Sequence, residues 1–218
     1  MVYVGHLDLM RYYQKAIRRA QIPIMYSQGF NPHQIMSFAQ PLGIGVEGYG
    51  EYFDIEVSKL LPSKQITDQL NAVMTEGNQI LAVKLLEDSA KTSMSLITAG
   101  DYELTLQQAE ASQEQLQDKI NSCMQQETIM IMKKTKRSEM MMDLKPMIYS
   151  IYAIAPDKIS MRLATGSSGN LNPSYVMEAI FKEDVHFTIA RHELYTTIVD
   201  EDGNETLLPL EETGIDIV

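Results

Sequence analysis

Two histidines, a serine and a set of cations fall within one short stretch of this chain, and these are residue types that could do chemistry. His33 closes the loop Tyr26-Ser27-Gln28-Gly29-Phe30-Asn31-Pro32-His33. An imidazole titrates near neutral pH, so His33 could act as a general acid or base, contact an anion, or simply finish a turn. His6 opens a segment whose pattern predicts a helix, where it could bond locally, face solvent or serve a site. Arg11, Lys15, Arg18 and Arg19 follow on that helix. Residues 1–50 set these four cations against only Asp8 and Glu47, in a chain of net charge -11. A positive helix on an acidic body could steer an anionic group to one place; the plainer alternative is a solvated helix face.

Several chemistries are excluded by residue type and spacing. A single cysteine, Cys123, leaves no internal disulfide and no cluster held by several thiolates. The three closely spaced cysteines of a radical SAM iron–sulfur centre are absent. No histidine lies near Cys123 in sequence, so a buried, inert thiol is the favoured reading. His6 and Asp8 are two residues apart on a helix and point to different sides, which argues against zinc. His186 and His192 fall near the last strand and receive no role. The glycines of GIGVEGYG, residues 43–50, join two strands and lack the GK[ST] ending, so they read as a wide hairpin and not as a phosphate cradle. An enzyme pairing His33 with Ser27 or Ser37 remains possible, without a nucleophile motif to support it.

The chain has 218 residues, 44% hydrophobic and 22% charged, the composition of an ordinary globular protein with room for one large or two smaller domains. Its longest nearly unbroken apolar run, Met147 to Ala155, is far short of the roughly 20 residues that span a bilayer, and no basic-then-apolar leader opens the chain. A bacterial, cytoplasmic protein with no membrane partner is the expectation. The acidic balance argues against general binding of DNA or other nucleic acids, because cations supply most of that affinity.

The elements that must position these residues follow from periodicity. The first half reads as a strand remnant at Met1–Val4, a helix from Gly5 to about Gln21, strands at 35–42 and 51–57, a helix at 63–74 and a strand at 79–86. Tyr52, Asp54 and Glu56 interleave with Phe53, Ile55 and Val57, the alternation of a half-buried strand. Gly5 can cap the helix, with Asp8 in its first turn, and Pro23 marks its end. After a polar join near 88–100, strands are expected at 102–106, 128–132, 140–144, 147–153, 159–164 and 186–191. Helices are expected at 112–126 and 173–181, with a final hairpin across Asp202-Gly203. The fold class is α+β: two ferredoxin-like (β-α-β-β-α-β) halves with antiparallel sheets, one at 1–88 and one, with extra strands, at 100–218. Of the fifteen methionines, Met140, Met141 and Met142 lie on one strand and so cannot all share a face. Lys133, Lys134, Lys136 and Arg137 read as a solvated hairpin tip.

HLDLMR, YSQGFNPH, SFAQPLGIGVE and GEYFDIE in residues 6–56, with DLKPMI at 143–148, SGNLNPSYVMEAI at 168–180 and RHELY at 191–195, resemble the radical-SAM-linked family, whose domain of unknown function occurs beside, or fused to, cobalamin-binding radical SAM proteins. The likeness covers nearly the whole chain. It implies a longer first strand ahead of HLDLMR, so that strand is expected to be cut short here. It also implies a non-catalytic accessory or substrate-recognition module for such a protein. In that reading the partner carries any iron–sulfur cluster, S-adenosylmethionine and cobalamin, and this chain binds no cofactor. His6, Arg11, Lys15, Arg18, Arg19, Tyr26, Ser27, Gln28, Gly29, Phe30, Asn31 and His33 would form the partner or substrate surface. A second reading is direct RNA binding, using Tyr26, Phe30 and the basic helix, although the aromatic motif of the common RNA-binding sheet is missing. If the chain carries no cofactor of its own, the purified, untagged protein is expected to show no visible chromophore and no stoichiometric iron or cobalt; an absorbance band matched by equimolar metal would overturn this.

Overall fold

The structure, a computed structural model, describes residues 2–134, 139–167 and 169–218. In chain order the elements are α1 (His6–Arg19), β1 (Met36–Phe38), β2 (Val46–Gly48), β3 (Phe53–Ile55), α2 (Ser63–Asn71), α3 (Ser93–Leu96) and β4 (Ile97–Leu106). Then follow α4 (Gln113–Met124), β5 (Met130–Lys134), β6 (Glu139–Asp143), β7 (Ile148–Ala155), β8 (Lys158–Ala164), α5 (Pro173–Phe181), β9 (Phe187–Val199) and β10 (Glu205–Pro209). The protein is thus mixed α and β, with antiparallel and mixed sheets. It divides into two compact units, Met1–Gly45 with Glu51–Ile97 and Tyr195–Val218, and Val46–Gly50 with Thr98–Leu194. No helix among the described residues is long and apolar enough to cross a membrane.

In the first unit α1 forms where the sequence places it. Gly5 stands at the N-cap, Asp8 lies in the first turn, and Arg18 and Arg19 lie in the last, each charge favourable to the helix dipole. Ala16 and Ile17 are fully buried, and Ile17 joins Ile22, Ile24, Ile66, Leu70 and Ile80 in the core. β1 and β3 pair antiparallel, Met36 opposite Ile55 and Phe38 opposite Phe53, the expected hairpin with shorter strands. The distal part of β9 pairs with β10, Val199 opposite Glu205, across the Asp202-Gly203 turn.

Two expected strands of this unit do not form. Val2 and Tyr3 make a turn, with the Val2 carbonyl accepting from the Gly45 amide at 2.8 Å; Met1 lies outside the described residues. The segment 79–86 is irregular, with one bridge between Leu85 and Ile215. At its start the Asn71 side chain accepts from the Ile80 amide at 2.8 Å and donates to the Ile80 carbonyl at 2.9 Å. One amide at the end of α2 thereby takes the backbone groups that a neighbouring strand would have used.

In the second unit the strands lie in the order β9-β4-β8-β7, with β4–β8 and β8–β7 antiparallel and β2 added in parallel to β9. β2 was not expected, and β4 is longer than expected, beginning inside the presumed polar join. Along β4 every second side chain turns inward: Tyr102, Leu104 and Leu106 are buried with Leu116 and Ile120 of α4 and Val176, Met177 and Ile180 of α5. Asp101, Glu103 and Thr105 alternate with them. Ser112 caps α4 through the Gln115 amide at 3.2 Å, and Asn172 caps α5 through the Ser174 amide at 2.9 Å, with Pro173 in the first turn. Cys123 is 5% exposed, and burial pushes its thiol pKa up, which suits an inert core residue. In the β5–β6 hairpin Ile131 faces Met142 towards the core, while Met130, Met132 and Met141 are exposed. The three consecutive methionines therefore divide between faces. Of the expected basic tip, Lys136 and Arg137 lie outside the described residues.

β7 ends the strand order, and an open strand edge invites association. Two glutamines one helical turn apart on α4 occupy it: Gln117 Oε1 accepts from the Ala153 amide at 2.8 Å, and Gln113 Nε2 donates to the Ala153 carbonyl at 2.9 Å. Replacing both by alanine leaves two part-buried backbone groups unpaired, at about 1–3 kcal/mol each. The expected result for Gln113→Ala/Gln117→Ala is a lower melting temperature together with concentration-dependent self-association in light scattering.

Candidate functional site

The loop 26–33 is tied at its base and open at its tip. The Ser27 amide donates to the His33 carbonyl at 2.8 Å, and Tyr26 and Gln34 form a β-bridge. The Ser27 hydroxyl lies 2.8 Å from His33 Nδ1 and accepts from the His33 amide at 3.1 Å. At the far end Gly29 takes φ of +116°, a conformation that side chains disfavour, and turns the chain. Residues 28–33 are all exposed. Phe30 is 111% exposed, with no neighbour to pack on, and Tyr26 is 43% exposed.

α1 lies against the base of this loop. Gln34, only 4% exposed, donates from Nε2 to the Gln14 carbonyl at 3.3 Å, and its Oε1 has no partner. Arg11, Gln14 and Arg18 recur at helical spacing, so they share one stripe. The cations nevertheless have different uses. Arg11 pairs with Asp8 at 3.1 Å in solvent, worth little energetically. Arg19 donates to the Val73 carbonyl at 2.9 Å, beyond the end of α2. Lys15 and Arg18 are exposed and make no ion pair among the described residues.

His6 turns inward instead, edge-on to Phe38 with ring centroids 5.3 Å apart, and its buried Nδ1 has no hydrogen-bond partner. The same aromatic cluster contains Tyr13, which packs on Phe38 and Phe53. Burial, with the neighbouring Tyr12 and Glu51, pushes the Tyr13 phenol up to about 12. His6 thus belongs to the wall behind the helix, while the loop and the outer stripe of α1 face solvent.

Of the residues singled out by sequence, the structure brings Tyr26, Ser27 and His33 together at the loop base and leaves Gln28, Gly29, Phe30 and Asn31 at its tip. Gln34, the buried amide that joins loop to helix, was missed; the only signal was a polar residue beside the apolar Ile35 and Met36. Nucleophilic catalysis needs a base oriented by a third group. Here Ser27 and His33 touch, but the second ring nitrogen of His33 has no partner among the described residues, and the serine oxygen already closes the loop. Nor does any group of three or more His, Cys, Asp or Glu among the described residues have the arrangement of a metal site. What the geometry presents is a closed loop with an exposed phenylalanine at its tip.

Residues 1–173 match the DUF2344 family, described as an uncharacterized protein conserved in bacteria, and the chain belongs to that family. No curated protein and no solved structure matches it.

The raised phenol of Tyr13 has a defined consequence for stability. An unfolded tyrosine loses its proton near pH 10 and the folded one at about 12, so stability is untouched below pH 10 and falls as pH rises between these values. At 1.36 kcal/mol per unit the loss is about 2–3 kcal/mol. Urea denaturation of the wild type and Tyr13→Phe between pH 9 and 12 is expected to show the wild type alone losing this increment.

Proposed function

We propose that this protein is a non-catalytic accessory or substrate-recognition module that works with a cobalamin-binding radical SAM protein, and that the loop 26–33 with the outer stripe of α1 is its recognition surface. The observation that carries the reading is Phe30, fully exposed at the tip of a loop whose base is tied by four interactions. Exposing a phenylalanine forgoes roughly 1.5–3 kcal/mol of burial. A mere connector gains nothing by this, whereas an aromatic anchor held on a closed loop recovers it in a partner's cleft at small cost in ordering. Lys15 and Arg18, exposed on α1 and without an ion pair among the described residues, suit a partner surface with carboxylates or phosphates at its rim. The partner's identity rests on the resemblance of HLDLMR, YSQGFNPH and the later motifs, and with it come the expectations that the radical chemistry and its cofactors belong to the partner and that both work in the cytoplasm.

The second unit adds an inference about fold. Its strand order β9-β4-β8-β7, with α4 between β4 and β7 and α5 between β8 and β9, is the order of a ferredoxin-like unit with the β5–β6 hairpin inserted. Such sheets are common platforms for RNA, and direct RNA binding is the alternative reading. On the non-core side of β4, Arg162 and Lys158 are already paired with Asp101 and Glu103, so these cations are not free for phosphates, and this weighs against it.

The test is a pull-down of a co-expressed cobalamin-binding radical SAM protein, the class the resemblance implies, by the wild type, Phe30→Ala, and Lys15→Glu/Arg18→Glu, with melting temperatures measured in parallel. At unchanged melting temperature, Phe30→Ala is expected to weaken capture at least tenfold and the charge reversal several-fold, the latter more at low salt. Equal capture by all three would remove the loop and helix from the interface, and retention of RNA in place of the protein would favour the alternative.

A further inference from the structure

The glycine-rich stretch 43–50 builds something more specific than a hairpin. β2 runs parallel to β9, Val46 opposite Ile189, and the ladder continues as the Tyr49 amide donates to the Arg191 carbonyl at 2.8 Å. The next residue, Gly50, passes so close to β9 that a Cβ there would stand 2.1 Å from the His192 carbonyl oxygen, so only glycine fits. This close approach lays the Tyr49 ring flat on His192, with centroids 5.1 Å apart and planes within 7°. Tyr49 is still 58% exposed, leaving much of its ring open to solvent.

Below the stack is a hollow of about 220 Å³ within the second unit, bordered by Glu47, Glu103, Lys158 and Thr188. The Tyr49 hydroxyl donates to Glu47 Oε2 at 3.1 Å, and Lys158 bonds Glu103 Oε1 at 2.7 Å. One oxygen of each carboxylate therefore has no partner among the described residues. The two acids outnumber the one lysine, and the local field shows in two further groups: the bond to Glu47 raises the Tyr49 phenol, and the bond to Glu103 raises the Lys158 ammonium.

An exposed aromatic ring beside unfilled carboxylate oxygens, at a hollow of this size, selects a planar cation that can stack and donate in parallel. We infer that this hollow binds the guanidinium head of an arginine side chain presented by a polypeptide partner, with the head stacked on Tyr49 and hydrogen-bonded to Glu47 and Glu103. A lysine ammonium lacks the flat face and the paired donors. A guanine base shares the donor pattern, but its phosphates would meet a net negative rim. The site lies in the second unit and does not rest on the loop of the first.

The experiment is an NMR titration of the full chain with the peptide Ac-Gly-Arg-Gly-NH₂, following the ring protons of His192, one of four histidines. A single arginine contact predicts a saturable shift with a dissociation constant of about 1 mM. Ac-Gly-Lys-Gly-NH₂ is expected to bind at least fivefold more weakly, Glu47→Gln and Tyr49→Ala each to weaken the arginine peptide at least threefold, and Tyr49→Phe, which keeps the stack, to lose less than Tyr49→Ala. Unmoved resonances of the other three histidines report that each variant is folded, and Glu103→Gln replaces Glu47→Gln if that variant is not. No saturable shift of His192, equal binding of the two peptides, or tighter binding of guanosine monophosphate than of the arginine peptide would each overturn the assignment.

Discussion

Burial of every second side chain along β4 is the constraint on which the second unit depends. Tyr102, Leu104 and Leu106 point into one cluster with α4 and α5, so Asp101, Glu103 and Thr105 must point away from it. Shifting the strand by one residue would put two carboxylates into the core and three large apolar groups outside it. At about 1.5–3 kcal/mol for each apolar side chain, and more for each unpaired buried charge, no such register competes. The same alternation places Asp101 opposite Arg162, where a bidentate ion pair forms at 2.6 and 2.8 Å, and puts Glu103 within reach of Lys158. A core requirement on one face thereby writes the charge pattern of the other.

The first unit solves a different problem, holding an irregular loop still without burying it. Ordering a backbone residue costs about 1–2 kcal/mol, and the exposed tip of 26–33 offers no burial in return. Compensation comes from the base, where a backbone bond, a bridge and the Ser27 hydroxyl fix both strands of the loop. Gln34 extends that closure to α1. The Ser27 hydroxyl closes the loop by meeting both the His33 ring and its amide, and residues 28–31 are left exposed at the tip.

Charge is distributed to suit this division. The chain is strongly acidic, yet among the described residues Lys15 and Arg18 on α1 make no ion pair, while in the hollow of the second unit one oxygen each of Glu47 and Glu103 has no partner. Electrostatics of this exposed kind act mainly on encounter and selectivity, and salt screens them within about 8–10 Å.

Sequence alone determined the elements whose signals are local. α5 falls at 173–181 as expected from a start at Pro173, and the core of α1 follows from the helical segment between Gly5 and Pro23. The β1–β3 and β9–β10 hairpins were likewise legible, from alternation and from the Asp202-Gly203 turn. The loop 26–33 was recognisable as a candidate site because Tyr26, Gln28, Phe30 and His33 add stacking and hydrogen-bonding groups that a simple connector does not need, although packing of the two aromatics on the core was an equally local reading. What sequence could not settle were outcomes that depend on distant competitors. Residues 79–86 form an apolar run that reads as a strand, but Asn71 takes the backbone groups of Ile80. GIGVEGYG looks like a connector because nothing local reveals β9, with which β2 pairs more than 140 positions along the chain. His192 and Tyr49 were given no role for the same reason, and His6, indistinguishable in sequence from a surface histidine, is set against Phe38 by the side of α1 it occupies. Local propensity and capping are properties of a few adjacent residues; partners at long range are selected only when the chain closes on itself, and that step belongs to the tertiary structure.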